Sequence, residues 1–157
     1  MDLICHGVTP PKIFEKYIEG IEKKVGEIKE YKFRTKQIGW RGNNIEIVLK
    51  NGKTLLNDKK TISYSKLYAS GKHMREVCYS CPYASVFRVG DFTLGDFWGI
   101  EHTKSAFNDN KGCSLVFVST EKAKKIMKYV SNNALFEERD MPDVLQHNLV
   151  HPTKKTF

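Results

Sequence analysis

Two of the four cysteines, Cys78 and Cys81, stand two residues apart in Val77-Cys78-Tyr79-Ser80-Cys81-Pro82-Tyr83. A tight turn over that spacing aims both sulfurs at one point, as metal centres and redox dithiols require. Pro82 stops the turn from continuing as a helix, because its ring fixes φ and removes an N–H donor. A redox dithiol usually sits at a helix start beside a βαβ unit. Here an irregular, glycine-bearing stretch follows, which favours a metal centre.

The other candidates carry less weight by themselves. Cys5 opens Cys5-His6-Gly7, where the glycine permits close backbone approach to a bulky inorganic group. On bare chemistry it is balanced between a ligand and a core cysteine. Cys113, in Lys111-Gly112-Cys113-Ser114, reads as a small buried residue at a strand entry. His6 is either a ligand or a hydrogen-bonding loop histidine, and His73 and His102 have weaker claims. Leu94-Gly95-Asp96-Phe97-Trp98-Gly99 is the most unusual run. It fits an aromatic pair closing a core beside a tight turn, and equally a flat ligand approached by backbone and stacked on a ring. No Gly-x-Gly-x-x-Gly, P-loop, serine elbow or His-Glu-x-x-His is present.

The elements that must position these residues alternate between periods. Leu3-Ile4-Cys5 reads as the end of a strand. Thr9 reads as an N-cap, with prolines in the first turn of a helix bearing Ile13, Phe14, Tyr17, Ile18, Ile21 and Val25, which Gly26 ends. Tyr31 and Phe33, then Ile45, Ile47 and Leu49, alternate as strands, and Asn51-Gly52 is a two-residue hairpin turn into Thr54-Leu55-Leu56. A short helix is expected between Ser63 and Met74. A strand over Val89 to Gly99 runs into a loop, and Ser114 to Ser119 is a buried strand. Glu121 to Val130 is a helix, Leu135 to Glu138 a strand and Pro142 to His147 a short helix. The pattern predicts an α+β fold: a mixed or antiparallel sheet, flanking helices and an irregular cysteine-bearing loop.

The chain of 157 residues fits a single domain. Its first strand lacks a start, and the run from Pro152 to Phe157 stops without a terminating element. The expectation is a C-terminal fragment of a longer protein. No window is long and apolar enough to span a bilayer, and no signal peptide opens the chain, which points to the cytoplasm and away from membrane partners. Net charge is +8 with acids interleaved among the lysines. That suits either a solvated surface or attraction to the phosphates of a cofactor or nucleic acid.

Five ordered segments carry a family resemblance. They are Asp2 to Val8, Phe33-Arg34-x-Lys36-x-x-Gly39-Trp40, Cys78-x-x-Cys81, Leu94 to Gly99 and Lys111-Gly112-x-Ser114. Together the chain resembles the C-terminal domain of the beta subunit of coenzyme F-420 hydrogenase/dehydrogenase. The resemblance implies an iron–sulfur flavoprotein moving electrons between a [4Fe-4S] cluster, FAD and a deazaflavin or other acceptor. It implies cluster ligands at Cys5, Cys78 and Cys81, with a fourth outside this chain, and none at Cys113. Arg34, Lys36 and Lys111 are the charges for the FAD pyrophosphate, with Gly95, Asp96 and Trp98 at the flavin. Partners would be the N-terminal half of the same protein and a ferredoxin-like donor or acceptor, and the isolated fragment would be inactive. The competing classes are a catalytically inert, partner-docking half and a zinc-stabilised nucleic-acid-binding module using three cysteines and His6.

Overall fold

The computed structural model describes residues 1–42 and 44–155. Thr156 and Phe157, part of the run from Pro152 read above as unterminated, lie outside the described residues. The chain divides into two compact units. The first joins Met1–His6 to Ser80–Thr153, and the second comprises Gly7–Tyr79 with Lys154 and Lys155. Both are α+β, as the alternating periodicities predict.

The second unit packs helix α1 (Pro11–Val25) on an antiparallel sheet of β2 (Ile28–Lys32), β3 (Glu46–Leu49) and β4 (Thr54–Leu56), in the order β2-β3-β4. Ile21 of α1 meets Ile45, Ile47, Leu49 and Leu55 in the core, with Tyr17 and Val25 on the same helical stripe. Gly26 ends α1 at φ 102, its N–H donating to the Glu22 carbonyl at 2.9 Å. Thr9 does not cap the helix. Pro10 occupies that position, and the buried Thr9 hydroxyl pairs instead with the Tyr64 hydroxyl at 2.5 Å. The Ile13 N–H, which a capping side chain would take, donates to the Pro10 carbonyl at 3.0 Å.

The hairpin is wider than a two-residue turn. Gly52 N–H donates to the Leu49 carbonyl and Leu49 N–H to that of Lys53, so Lys50, Asn51 and Gly52 form the loop. Gly52 takes the positive φ (86°) that such a three-residue loop needs. Helix α2 spans Ser63–Ala69 and stops well short of Met74.

The first unit holds a mixed sheet in the order β1-β5-β6. Strand β1 (Asp2–Leu3) runs parallel to β5 (Phe92–Asp96), and β5 runs antiparallel to β6 (Ser114–Val118). Helix α3 (Glu121–Val130) follows β6 and is capped by Thr120, whose hydroxyl accepts the Ala123 N–H. Two short helices, α4 (Met141–Val144) and α5 (His147–Val150), replace the single helix expected over 142–147. Leu145 and Gln146 between them are extended, and the Gln146 amide donates to the Asp96 carbonyl at 3.1 Å. Residues 135–138 form no strand. Among the described residues no strand pairs with them, and Leu135 is 86% exposed.

Ile47 is fully buried at the centre of the second unit's core. Ile47→Ala should cost about 2–5 kcal/mol, read as a lower urea midpoint, whereas Ala at the exposed Lys53 should shift stability by less than about 0.5 kcal/mol.

Candidate functional site

Within the second unit, Cys78 lies in a single 3₁₀ turn, Glu76–Ser80. Its N–H donates to the Arg75 carbonyl at 2.8 Å. Tyr79, inside the Cys-x-x-Cys step, anchors the turn. Its hydroxyl accepts the Met74 N–H at 2.9 Å and donates to the Gly71 carbonyl at 3.1 Å. Lys155 Nζ lies 2.9 Å from both Glu76 carboxylate oxygens and 5.7 Å from the Tyr79 ring centroid.

The segment after Cys5-His6 packs directly on this turn. Val8 N–H donates to Cys78 Sγ at 3.4 Å, and Arg75 N–H donates to the Val8 carbonyl at 2.8 Å. Gly7 takes φ 134, and a Cβ there would stand 3.1 Å from Met74 Sδ and 3.5 Å from Cys78 Cβ. A side chain at position 7 would therefore be both strained and crowded. Sequence positions 7–8 and 78, distant in the chain, share one small region with a backbone donor aimed at sulfur.

The chain passes from the second unit to the first between Tyr79 and Ser80. In the first unit Cys81 is half-buried, and its carbonyl accepts the Ala84 N–H at 3.3 Å. Cys5 is exposed and follows Ile4, whose N–H extends the β1–β5 ladder onto the Leu94 carbonyl at 2.8 Å. The loop after Cys81 is held by Arg88, whose side chain is 5% exposed. Its guanidinium meets Asp2 Oδ1 at 3.1 Å, donates to the Leu3 carbonyl at 2.9 Å and reaches Thr93 and the carbonyls of Tyr83 and Ser85. The other Asp2 oxygen accepts the Gly90 N–H at 3.0 Å. Burial pushes the Asp2 carboxyl up, but the hydrogen bonds from Thr93, Arg88 and Gly90 and the Arg88 charge outweigh it and hold it below the usual range.

The run Leu94 to Gly99 serves two ends. Phe97 is buried and its N–H donates to the Cys113 carbonyl at 2.9 Å, so it closes the core. Trp98 is 48% exposed beside Gly99, which takes φ 98. Gly95 has a packing reason: a Cβ there would meet Ile4 side-chain atoms at 2.9–3.1 Å. Lys111 is exposed and 3.5 Å from Asp109. Cys113 is half-buried, and burial, with Asp109 adding to it, pushes its thiol up. Phe97, Lys111 and Cys113 all line a groove of about 990 Å³, whereas Gly95, Asp96 and Trp98 do not.

Arg34 and Lys36 belong to the second unit and are exposed on the loop after β2. Asn44 shapes that loop by donating to the carbonyls of Gly39 (2.7 Å) and Arg41 (3.0 Å). Glu46, buried on β3, is matched by Lys32 and Gln37.

Among the described residues, no three His, Cys, Asp or Glu side chains are gathered so as to hold a metal ion. What the structure assembles is a cysteine sulfur with a backbone donor, plus a part-buried ion pair bracing the loop after the second cysteine. Arg88 and Tyr79 were missed by motif reading. Tyr79 lay inside the motif, but a tyrosine in a turn carries no signal of its own. The pairing of Arg88 with Asp2 spans 86 residues and leaves no periodic trace.

A family model for the C terminus of the coenzyme F420 hydrogenase/dehydrogenase beta subunit matches residues 1–144, and the chain belongs to that family. The family is one of oxidoreductases, and as a domain of a subunit it has other domains or subunits as partners. No curated protein and no solved structure matches the chain. Among the described residues, no helix is long and apolar enough to cross a membrane.

Arg88→Gln should cost about 1–3 kcal/mol, because it leaves a part-buried carboxylate with only its Thr93 and Gly90 donors. The Asp2 carboxyl sits below its unfolded value, so its contribution is present at neutral pH and fades as pH falls through about 4 towards the folded value. Urea unfolding from pH 6 to pH 3 should show a shallower acid loss in Asp2→Asn than in the parent.

Proposed function

We propose that the chain is the electron-transfer domain of an iron–sulfur flavoprotein, with Cys5, Cys78 and Cys81 giving three thiolates to a [4Fe-4S] cluster. A fourth ligand would come from outside these residues. The observation that carries this reading is the Val8 N–H directed at Cys78 Sγ, 3.4 Å away, beside a glycine at φ 134 whose Cβ position is crowded by Met74. Thiolates are the donors that iron–sulfur clusters take, and N–H donors to sulfur are a principal means of setting their potentials.

A cluster and FAD, when bound, supply one-electron storage and hydride chemistry that no side chain possesses. The chain's own residues do the holding. The Val8 amide donates to the Cys78 sulfur. Tyr79 fixes the turn through its two backbone partners, and Lys155 clasps the Glu76 carboxylate at the turn's start. Arg88 orders the chain beyond Cys81, so the second sulfur leaves from a braced loop.

For FAD, the exposed Arg34, Lys36 and Lys111 offer charge for a pyrophosphate. Trp98 offers a ring for stacking, beside Asp96 and Gly95. The acceptor is a deazaflavin such as coenzyme F420 or another soluble carrier, and the donor side is a ferredoxin-like protein or another domain of the same assembly.

Protein purified without oxygen should carry iron and acid-labile sulfide in equal amounts, together with FAD. Cys78→Ser and Cys81→Ser should each lower iron by more than half while circular dichroism stays unchanged. A colourless parent protein containing zinc and no flavin would overturn the reading.

A further inference from the structure

We infer that His147 and His151 form a two-imidazole chelate for a divalent late transition metal such as zinc, spanning the one-turn helix α5. The pair lies in the first unit and outside residues 1–144, the stretch that the family model matches. The evidence for it is independent of the cysteines.

The two histidines stand four residues apart, one at the first residue of α5 and the other just past its end. Residues at i and i+4 share a helix face, with Cβ atoms about 5–6 Å apart. Two histidines at this spacing bind zinc on the helix of a metalloprotease for that reason. Here the His151 N–H donates to the His147 carbonyl at 2.8 Å, so the pair is held one turn apart. The rings are already neighbours, with centroids 6.0 Å apart and planes at 52°. Two imidazoles on one tetrahedral zinc, each bonded at about 2.0–2.1 Å, bring their centroids to about 5 Å. The pair therefore needs to close by about 1 Å, which small side-chain rotations supply.

Both histidines are exposed, and among the described residues no hydrogen bond or ion pair occupies either ring. The backbone beneath them is anchored. Leu149, two residues from each histidine and so on the opposite side of the turn, is fully buried, and its N–H donates to the Gln146 carbonyl at 2.9 Å. A metal arriving from solvent thus has to order two side chains and no backbone.

The donors select the cation. Imidazole suits zinc, copper and nickel, whereas magnesium and calcium take oxygen ligands. Two protein ligands leave the other positions to water, so the ion exchanges more readily than from a closed four-ligand site. A four-residue helix has too few ladder bonds to hold itself, and an ion bridging its first residue and its C-cap fastens it. Beyond His151 the chain reaches the buried Thr153, whose hydroxyl donates to the His6 carbonyl at 2.5 Å. Metal occupancy therefore steadies the segment that ends on the backbone next to Cys5.

The test adds zinc to EDTA-washed protein without oxygen, at slightly alkaline pH, and follows the ring nitrogens of all five histidines by NMR. Thiols also take zinc, so the rings themselves are the readout. The His147 and His151 rings should shift together with one affinity, magnesium should move neither, and the His151 amide should exchange more slowly. His147→Gln and His151→Gln should each weaken zinc binding at the remaining ring at least tenfold, with circular dichroism unchanged. Rings that shift with different affinities, a remaining ring indifferent to loss of its partner, an equal response to magnesium, or no shift overturns the proposal. Zinc-dependent dimerisation lost in either variant would divide the ligands between two copies and overturns it too. If the variants unfold, the parent is treated with diethyl pyrocarbonate and mapped by mass spectrometry. Zinc should then protect both histidines, and modification undiminished by zinc overturns the proposal. None of these outcomes alters the iron content by which the cluster reading is judged.

Discussion

The part-buried contact between Asp2 and Arg88 is the constraint on which the first unit depends. Strand β1 is only two residues long, too short to hold itself on the sheet by ladder bonds. Arg88 fastens it from the side, bonding the Asp2 carboxylate and the Leu3 carbonyl with one guanidinium while also gripping the carbonyls of Tyr83 and Ser85. Arginine suits this task because its planar fork presents five fixed donors and stays charged when buried. A lysine would leave several of those acceptors unpaired. The result fixes both the strand that leads to Cys5 and the loop that leaves Cys81.

In the second unit the matching role falls to Tyr79. Its hydroxyl is inserted between the Met74 amide and the Gly71 carbonyl, so the turn bearing Cys78 cannot rotate without breaking two hydrogen bonds. Gly7 completes the arrangement by letting backbone lie against Met74 and the Cys78 Cβ. Each cysteine-bearing segment is thus braced by other side chains, Tyr79 in the second unit and Asp2 with Arg88 in the first. A redox centre gains from such bracing, because ligands that do not move keep the reorganisation accompanying electron transfer small.

The elements were largely legible in the sequence where one periodicity ruled. Helix α3 and the pairing of β3 with β4 follow from apolar spacing, although the turn between the strands holds three residues rather than two, and Gly26 marks the end of α1 as its lack of a side chain predicts. Departures arose where tertiary contacts overrode local preference. Thr9 is a strong capping residue by type, yet Pro10 displaces it and Tyr64 takes its hydroxyl. Leu135 to Glu138 reads as a strand, but a strand needs a partner and among the described residues no strand pairs with it. The candidate site was legible at the cysteines and in the Leu94 to Gly99 run. Gly95 shows why the second of these was ambiguous. A glycine demanded by the neighbouring Ile4 side chain looks, in sequence, the same as one demanded by a ligand.

The account rests centrally on the Val8–Cys78 contact marking a sulfur that binds iron. X-ray absorption at the iron edge of protein purified without oxygen addresses that claim directly. The expected spectrum has a first shell of sulfur alone with iron–iron scattering beyond it, and the iron signal is lost on replacing Cys78 by serine. A first shell of nitrogen or oxygen, or absorption only at the zinc edge with an imidazole contribution, would contradict the account.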